Sequence, residues 1–163
     1  MQNFTVDALD LPPVPTHLLV QVDQILNSGL IEVPLKKPDG TIQDNSVYKI
    51  FSVPNELNEW LKTIFDFEFD AEYIWMKDWS YKHRDLGRTV AYNYLLDAGG
   101  SNVATKFYDN QDQDLVIDSI VMPLHKWMKL NVSLPHMVLA ASGNTLGVRY
   151  ILSITPTESK FDY

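Results

Sequence analysis

The apolar residues change their spacing close to residue 70. Ahead of that point Leu18, Leu19, Val22, Ile25 and Leu26 recur at intervals of three and four, with Pro13 and Pro15 before them and Gly29 after, which predicts an amphipathic helix. A second helix is predicted to open at Pro54-Asn55 and to carry Leu57, Trp60, Leu61, Ile64 and Phe65 on one face. Short strands are expected from Leu30 to Val53 around the turn Lys37-Pro38-Asp39-Gly40. From Phe67 onward the runs are short, rich in Phe, Tyr, Trp, Val and Ile, and punctuated by Ala98-Gly99-Gly100, Asp109-Asn110 and Ser142-Gly143-Asn144. Strands are predicted at Tyr73–Trp79, Thr89–Leu96, Thr105–Tyr108, Leu115–Met122, Trp127–Val132, Met137–Ala140 and Val148–Thr155, a number and spacing that suggest a sandwich or barrel. One domain is expected over residues 1–163, with helices and short strands in 1–70, a β core in 71–156 and a tail in 157–163. Asp109 to Asp114 reads as a solvated hairpin loop.

Composition narrows the chemistry. With 45% apolar and 21% charged residues the chain has the balance of a globular protein, and its net charge of −8 disfavours long nucleic acids and anionic lipid as partners. There is no cysteine, which excludes disulfides, thiolate zinc sites, iron–sulfur clusters and a cysteine nucleophile, so any metal must be held by nitrogen and oxygen. Met1 to Val14 carries acids and prolines, and no stretch approaches the roughly 18 apolar residues of a membrane span, so a cytoplasmic protein with no membrane partner is expected.

Of the four histidines, His83 lies in His83-Arg84-Asp85, an H-x-D pattern. On an extended segment side chains two apart share a face, so His83 and Asp85 can reach one metal ion together. His136 is the candidate third ligand, 51 residues beyond Asp85 and directly ahead of an apolar strand. His125 competes for that place, but the lead-in Asn131-Val132-Ser133-Leu134-Pro135 and the spacing to Arg149 favour His136; His17 falls on the first predicted helix. Two imidazoles and one carboxylate form the facial ligand set of non-haem iron(II) oxygenases, with three positions left for cosubstrate and dioxygen. Arg149, a single cation on an otherwise apolar strand 13 residues past His136, suits the distant carboxylate of a 2-oxo acid, and Ser153 on the same face adds a hydroxyl donor. Tyr92, Asn93 and Tyr94 alternate along one strand, so either Asn93, whose amide would orient a cosubstrate, or the two tyrosines face the interior. Trp75, Trp79 and Trp127 read as core or rim aromatics.

These elements, in this order, resemble the iron(II)- and 2-oxoglutarate-dependent dioxygenases, in particular prolyl-hydroxylase-like members and short phage or marine microbial relatives. The resemblance spans roughly Tyr73 to Thr155: the H-x-D, the stretch Arg88 to Gly100 with its glycine hairpin, Thr105 to Tyr108, the segment ending at His136, and Arg149 to Ile154. It implies a mainly β fold with flanking α, a double-stranded β-helix (jelly roll, cupin-like) with N-terminal helices. It further implies Fe(II) held by His83, Asp85 and His136, and 2-oxoglutarate as cosubstrate with its far carboxylate on Arg149. The implied reaction couples oxidative decarboxylation of 2-oxoglutarate to hydroxylation of a small-molecule or peptidyl substrate, and a homodimer is compatible with it. Two rival readings keep the scaffold, one as a non-catalytic cupin-like metal-binding module and one as a metal enzyme independent of 2-oxoglutarate.

Overall fold

The computed structural model describes residues 4–37, 39–42, 46–141 and 146–161. Its strands are β1 (Val6–Ala8), β2 (Glu32–Val33), β3 (Tyr48–Ser52), β4 (Phe69–Lys77), β5 (Val90–Ala98), β6 (Ala104–Tyr108), β7 (Val116–Ile120), β8 (Trp127–Asn131), β9 (His136–Leu139) and β10 (Val148–Pro156), with one short helix, α1 (Asn55–Leu61). They form two antiparallel sheets, a seven-stranded one in the order β1-β8-β5-β10-β4-β3-β2 and a three-stranded one in the order β7-β6-β9. All seven strands expected in the C-terminal half are present with their ends shifted, and the Asp109 to Asp114 segment is an exposed loop whose backbone amides bond the Asp109 carboxylate. The expected turn at Ser142-Gly143-Asn144 lies outside the described residues, as does Pro38 of the earlier turn.

The period of two along the central strands divides the interior into two cores. Tyr150, Leu152 and Ile154 of β10, Tyr94 of β5 and Tyr73 and Trp75 of β4 face outward from the large sheet, onto Leu57 and Leu61 of α1, Phe65 and the N-terminal segment. Their alternate neighbours, Ile151, Leu95, Ala91, Ile74 and Met76, face the small sheet and meet Phe107, Met122, Met128 and Leu130 between the two layers. Asn93 is in phase with Ala91 and Leu95 and lines the inter-sheet side, while Tyr92 and Tyr94 belong to the outer core, which resolves the alternation on β5. Phe65 anchors the outer core by edge-on contact with Trp127 at 5.0 Å and Tyr92 at 5.5 Å.

The first expected helix is not formed. Two 3-10 turns, Thr16–Leu18 and Ile25–Asn27, stand in its place, and Leu19 between them is extended (φ −89°, ψ 138°). Four of the five apolar residues that suggested a helix are nevertheless turned inward, with Ile25 fully buried and Leu18, Leu19 and Val22 packed on the outer core, while Leu26 is exposed. The backbone is drawn out because the sheet supplies partners a helix would have supplied itself. The Val20 N–H donates to the Tyr73 hydroxyl (3.0 Å), and the Tyr150 hydroxyl donates to the Val20 carbonyl (2.8 Å). Upstream, the Val14 N–H donates to the Tyr94 hydroxyl (3.2 Å) and the Trp127 indole N–H to the Pro12 carbonyl (3.2 Å). Tertiary hydrogen bonds thus outweigh local helical periodicity.

Replacing both Tyr73 and Tyr150 by phenylalanine removes two such bonds at nearly constant volume and should cost about 2 kcal/mol of stability, at roughly 1 kcal/mol each. Urea denaturation measures the loss, and the Val20 amide should lose its hydrogen-exchange protection before the strands do; retained protection at Val20 would refute the assignment.

Candidate metal centre

The chain leaving β4 passes through Asp78 in a left-handed conformation (φ 50°) and runs beside β9 as an extended segment. There the His83 N–H donates to the His136 carbonyl (3.0 Å) and the His136 N–H to the His83 carbonyl (2.8 Å), a closed pair of antiparallel bonds. Two residues on, the Asp85 N–H donates to the Val132 carbonyl (3.0 Å), which holds Asp85 on the face that His83 already occupies. The two imidazole rings lie 4.4 Å apart, His83 against Trp79 and His136 against Phe107.

The ring nitrogens are committed by their surroundings. His83 Nδ1 lies 2.7 Å from the Tyr81 carbonyl oxygen and His136 Nδ1 2.8 Å from that of Leu134. A carbonyl only accepts, so each Nδ1 carries a proton, and in the neutral imidazole each Nε2 presents a lone pair. Those nitrogens face Asp85 Oδ1 at 3.3 Å from His83 and 3.1 Å from His136, and the three donor atoms lie within 4.8 Å of one another. Three electron-rich atoms so close repel one another unless a proton or a cation stands between them. Metal bonds of about 2.1 Å at right angles put adjacent donors about 3.0 Å apart, close to both separations that involve Asp85. The nitrogen and oxygen donors also match a cysteine-free chain, and they suit a first-row divalent metal.

The second oxygen of Asp85 is occupied. Arg88 Nε donates to Oδ2 at 2.7 Å, and its Nη1 donates to the Ser153 hydroxyl (2.8 Å) and the Thr155 hydroxyl (2.9 Å). Ser153 in turn donates to Asn93 Oδ1 (2.7 Å), so a polar line runs from Asp85 through β10 to β5. Burial opposes ionisation of Asp85, but the Arg88 guanidinium and, whenever a proton stands at Nε2, the facing imidazoles of His136 and His83 outweigh it and hold the carboxyl well below the usual range. For His83 burial opposes the charged ring, yet its bonds to Asp85 and Tyr81 prevail and raise its pKa. Arg88 had no role in the reading of the sequence; its only local sign is a cation three residues after Asp85 at the mouth of an apolar strand.

Arg149 is buried on the inter-sheet side of β10, apart from this line. Its Nη1 donates to the Ala98 carbonyl (3.1 Å), and its Nε has no partner. Burial without a closely paired anion pushes its pKa down to about 10, with Asp97 offsetting part of the shift. It shares with Asn93, Met122, Met128 and Ile151 a cavity of about 20 Å³, room for roughly one water. The Ser153 hydroxyl donates to Asn93 Oδ1, so the hydroxyl donor expected for a cosubstrate is committed to Asn93. His125 stands apart, exposed with its backbone on Leu95 and its ring 6.0 Å from Tyr94, and His17 is exposed on the N-terminal segment. Trp75 and Trp127 are core residues, as expected, and Trp79 packs against the His83 ring at 4.8 Å.

No protein-family model matches the sequence, and no curated protein does. The structure is similar to that of a prolyl hydroxylase from Trichoplax adhaerens solved in complex with a hypoxia inducible factor oxygen degradation domain peptide fragment, at 16% identity and a TM-score of 0.57 over 86% of this chain and 76% of that one. It is also similar to an oxidoreductase of the 2OG-Fe(II) oxygenase family from Burkholderia pseudomallei, at 9% identity and a TM-score of 0.51 over 86% of this chain and 89% of that one. At these identities the likeness establishes a shared fold. Among the described residues no helix is long and apolar enough to cross a membrane.

Arg88→Leu leaves one oxygen of a largely buried carboxylate without its cation and should destabilise the metal-free protein by on the order of 3–5 kcal/mol. Asp85→Leu combined with it should cost clearly less than the sum of the two single changes, because the pair is then removed together. Urea titration of all four proteins gives the coupling; strict additivity would show that the 2.7 Å contact contributes nothing.

Proposed function

We propose that the protein is an iron(II)- and 2-oxoglutarate-dependent dioxygenase of the prolyl-hydroxylase-like type on a double-stranded β-helix, and that it hydroxylates a substrate C–H. The observation that carries this reading is the convergence of two Nε2 lone pairs and one carboxylate oxygen, with each Nδ1 and the second carboxylate oxygen held by a partner of its own. His83, Asp85 and His136 would hold the metal. Bound iron supplies the activation of dioxygen that accompanies oxidative decarboxylation of the cosubstrate. The rest falls to the protein: the carbonyls of Tyr81 and Leu134 fix the two imidazole tautomers, and Arg88 keeps Asp85 turned so that it offers one oxygen. The buried Arg149 would take the far carboxylate of 2-oxoglutarate, and its unpartnered Nε supports that role because an incoming carboxylate would complete its hydrogen bonds. Met122 and Met128 must repack to admit it, which unbranched thioethers do readily. The peptide held by the similar prolyl hydroxylase supports a peptidyl substrate here, with a small molecule as the other class.

The tightness of the cavity at Arg149 favours a second reading, a cupin-like metal-binding module that does not use 2-oxoglutarate. Anaerobic calorimetry with Fe(II) and then 2-oxoglutarate, followed by a succinate assay in air, decides between them. Succinate formation is the expected result, and metal binding without any 2-oxoglutarate binding would favour the module. Metal affinity should fall in His83→Ala, Asp85→Ala and His136→Ala and persist in His125→Ala. Arg149→Leu should weaken 2-oxoglutarate at least tenfold, about 1.4 kcal/mol, and leave metal affinity near wild type; Arg149→Lys, lacking the planar fork, should fall between. Since Asp85 occupies the position that halide takes in related halogenases, an accepted substrate should gain one oxygen by mass spectrometry even in saline buffer.

A further inference from the structure

A cavity of about 450 Å³ opens beside the triad, bounded by His83 and Asp85 on one side and by Tyr48, Ile50, Glu72 and Ile74 of β3 and β4 on the other. Its charges are unequally committed. Arg88, also on its wall, is paired with Asp85 at 2.7 Å. Arg84 turns its guanidinium to Asn110, Lys160 is paired with Asp70, and Lys36 is exposed. The Glu72 carboxylate is different: among the described residues it makes no hydrogen bond and no ion pair, and it feels Arg88 only at a distance. It stands on the inter-sheet face of β4, in phase with Ile74 and Met76 and opposite Ser153 in the register with β10. Burial raises its pKa, so the carboxylate already bears a cost that water in the open cavity only partly relieves.

A molecule that fills the cavity strips that water. A carboxylate desolvated without a partner is expensive, whereas a cation placed against it forms a short, charge-assisted hydrogen bond. We infer that Glu72 selects for substrates that carry a cationic group, an ammonium or guanidinium, next to the C–H presented to the metal centre. Asp85 and Arg88 cancel within the wall and the Arg84 guanidinium is turned to Asn110, so the anion left facing the cavity between β4 and the triad is the Glu72 carboxylate. The inference rests on the dioxygenase reading only in calling the ligand a substrate; the site itself is a property of the cavity. An ammonium can belong to a free amine or to a lysyl side chain, and both meet the same chemistry.

Calorimetric titration of the metal-free and the Mn(II)-loaded protein tests this without turnover. The probes are n-butylammonium against n-butanol, and a capped alanyl-lysyl-alanine peptide against its norleucine and glutamate counterparts. The cationic member of each series should bind at least tenfold more tightly than its neutral isostere, and whichever cation binds more tightly identifies the source. Glu72→Gln should bring that ratio close to one, and Glu72→Lys should turn the preference toward the glutamate peptide. Equal affinity for cation and neutral isostere in the wild type, absence of binding by either cation, or a ratio that survives Glu72→Gln would each overturn the inference, the first two without need of any variant. A wild-type protein that makes succinate from 2-oxoglutarate yet shows no cation preference refutes this inference alone. A cation preference without succinate keeps the site and refutes the dioxygenase.

Discussion

The pair of backbone hydrogen bonds between His83 and His136 is the constraint on which the site depends. Directly opposed residues in an antiparallel pair point their side chains to the same side, so closing this bridge places two imidazoles 4.4 Å apart without any contribution from the rings themselves. Asp85 follows from the same strand geometry, two residues along and on the same face, with its N–H fixed to Val132. The three donors therefore owe their convergence to sheet register, which is stiff. A slip of one residue would turn the set away from the interior.

The second organising feature is the two-sidedness of β10. Its even-numbered residues, Tyr150, Leu152 and Ile154, belong to the aromatic core under the N-terminal segment, while Arg149, Ser153 and Thr155 face the space between the sheets along with Ile151. A strand buried on both faces is expected to be uniformly apolar, and the polar exceptions here lie on the inter-sheet side. Ser153 and Thr155 accept hydrogen bonds from Arg88, and through it they steady a carboxylate they do not touch. Such a network is worth having only when its members are satisfied, and this one leaves no atom of Asp85, Arg88, Ser153 or Asn93 among the buried unpartnered ones. Arg149 Nε and Thr105 Oγ1 are the exceptions among the described residues, each on a strand that faces the interior from a different sheet.

The outer core has a mechanical role of its own. Residues 12–20 are bound across the back of the large sheet by hydroxyls and an indole that project from β4, β5, β8 and β10. The same aromatic side chains bury large apolar areas and present a polar tip at their ends, so one residue type both fills the core and holds the covering segment in place. That cover closes the face of the large sheet opposite the one that carries Ser153, Thr155 and Asn93 toward the triad.

Sequence alone determined the parts whose physics is local. Short runs rich in aromatic and β-branched residues between turn signals marked the seven C-terminal strands, the i, i+2 relation put His83 and Asp85 on one face, and the isolated charge on an apolar strand singled out Arg149. The order of these elements was enough to suggest the fold. Tertiary structure decided whatever depended on partners distant along the chain. The Leu18 to Leu26 pattern is helical by period, yet Tyr73 and Tyr150 take the Val20 backbone groups and the segment is drawn into 3-10 turns. Arg88 looks like an ordinary cation at a strand end until the register of β10 brings Ser153 and Thr155 beneath it. Glu72 falls one residue ahead of the strand expected from Tyr73, and only the approach of β3 and the His83 segment encloses it in a cavity. Periodicity reports which face of an element a residue occupies, while the contents of the space in front of that face depend on register and sheet order, which no local pattern encodes.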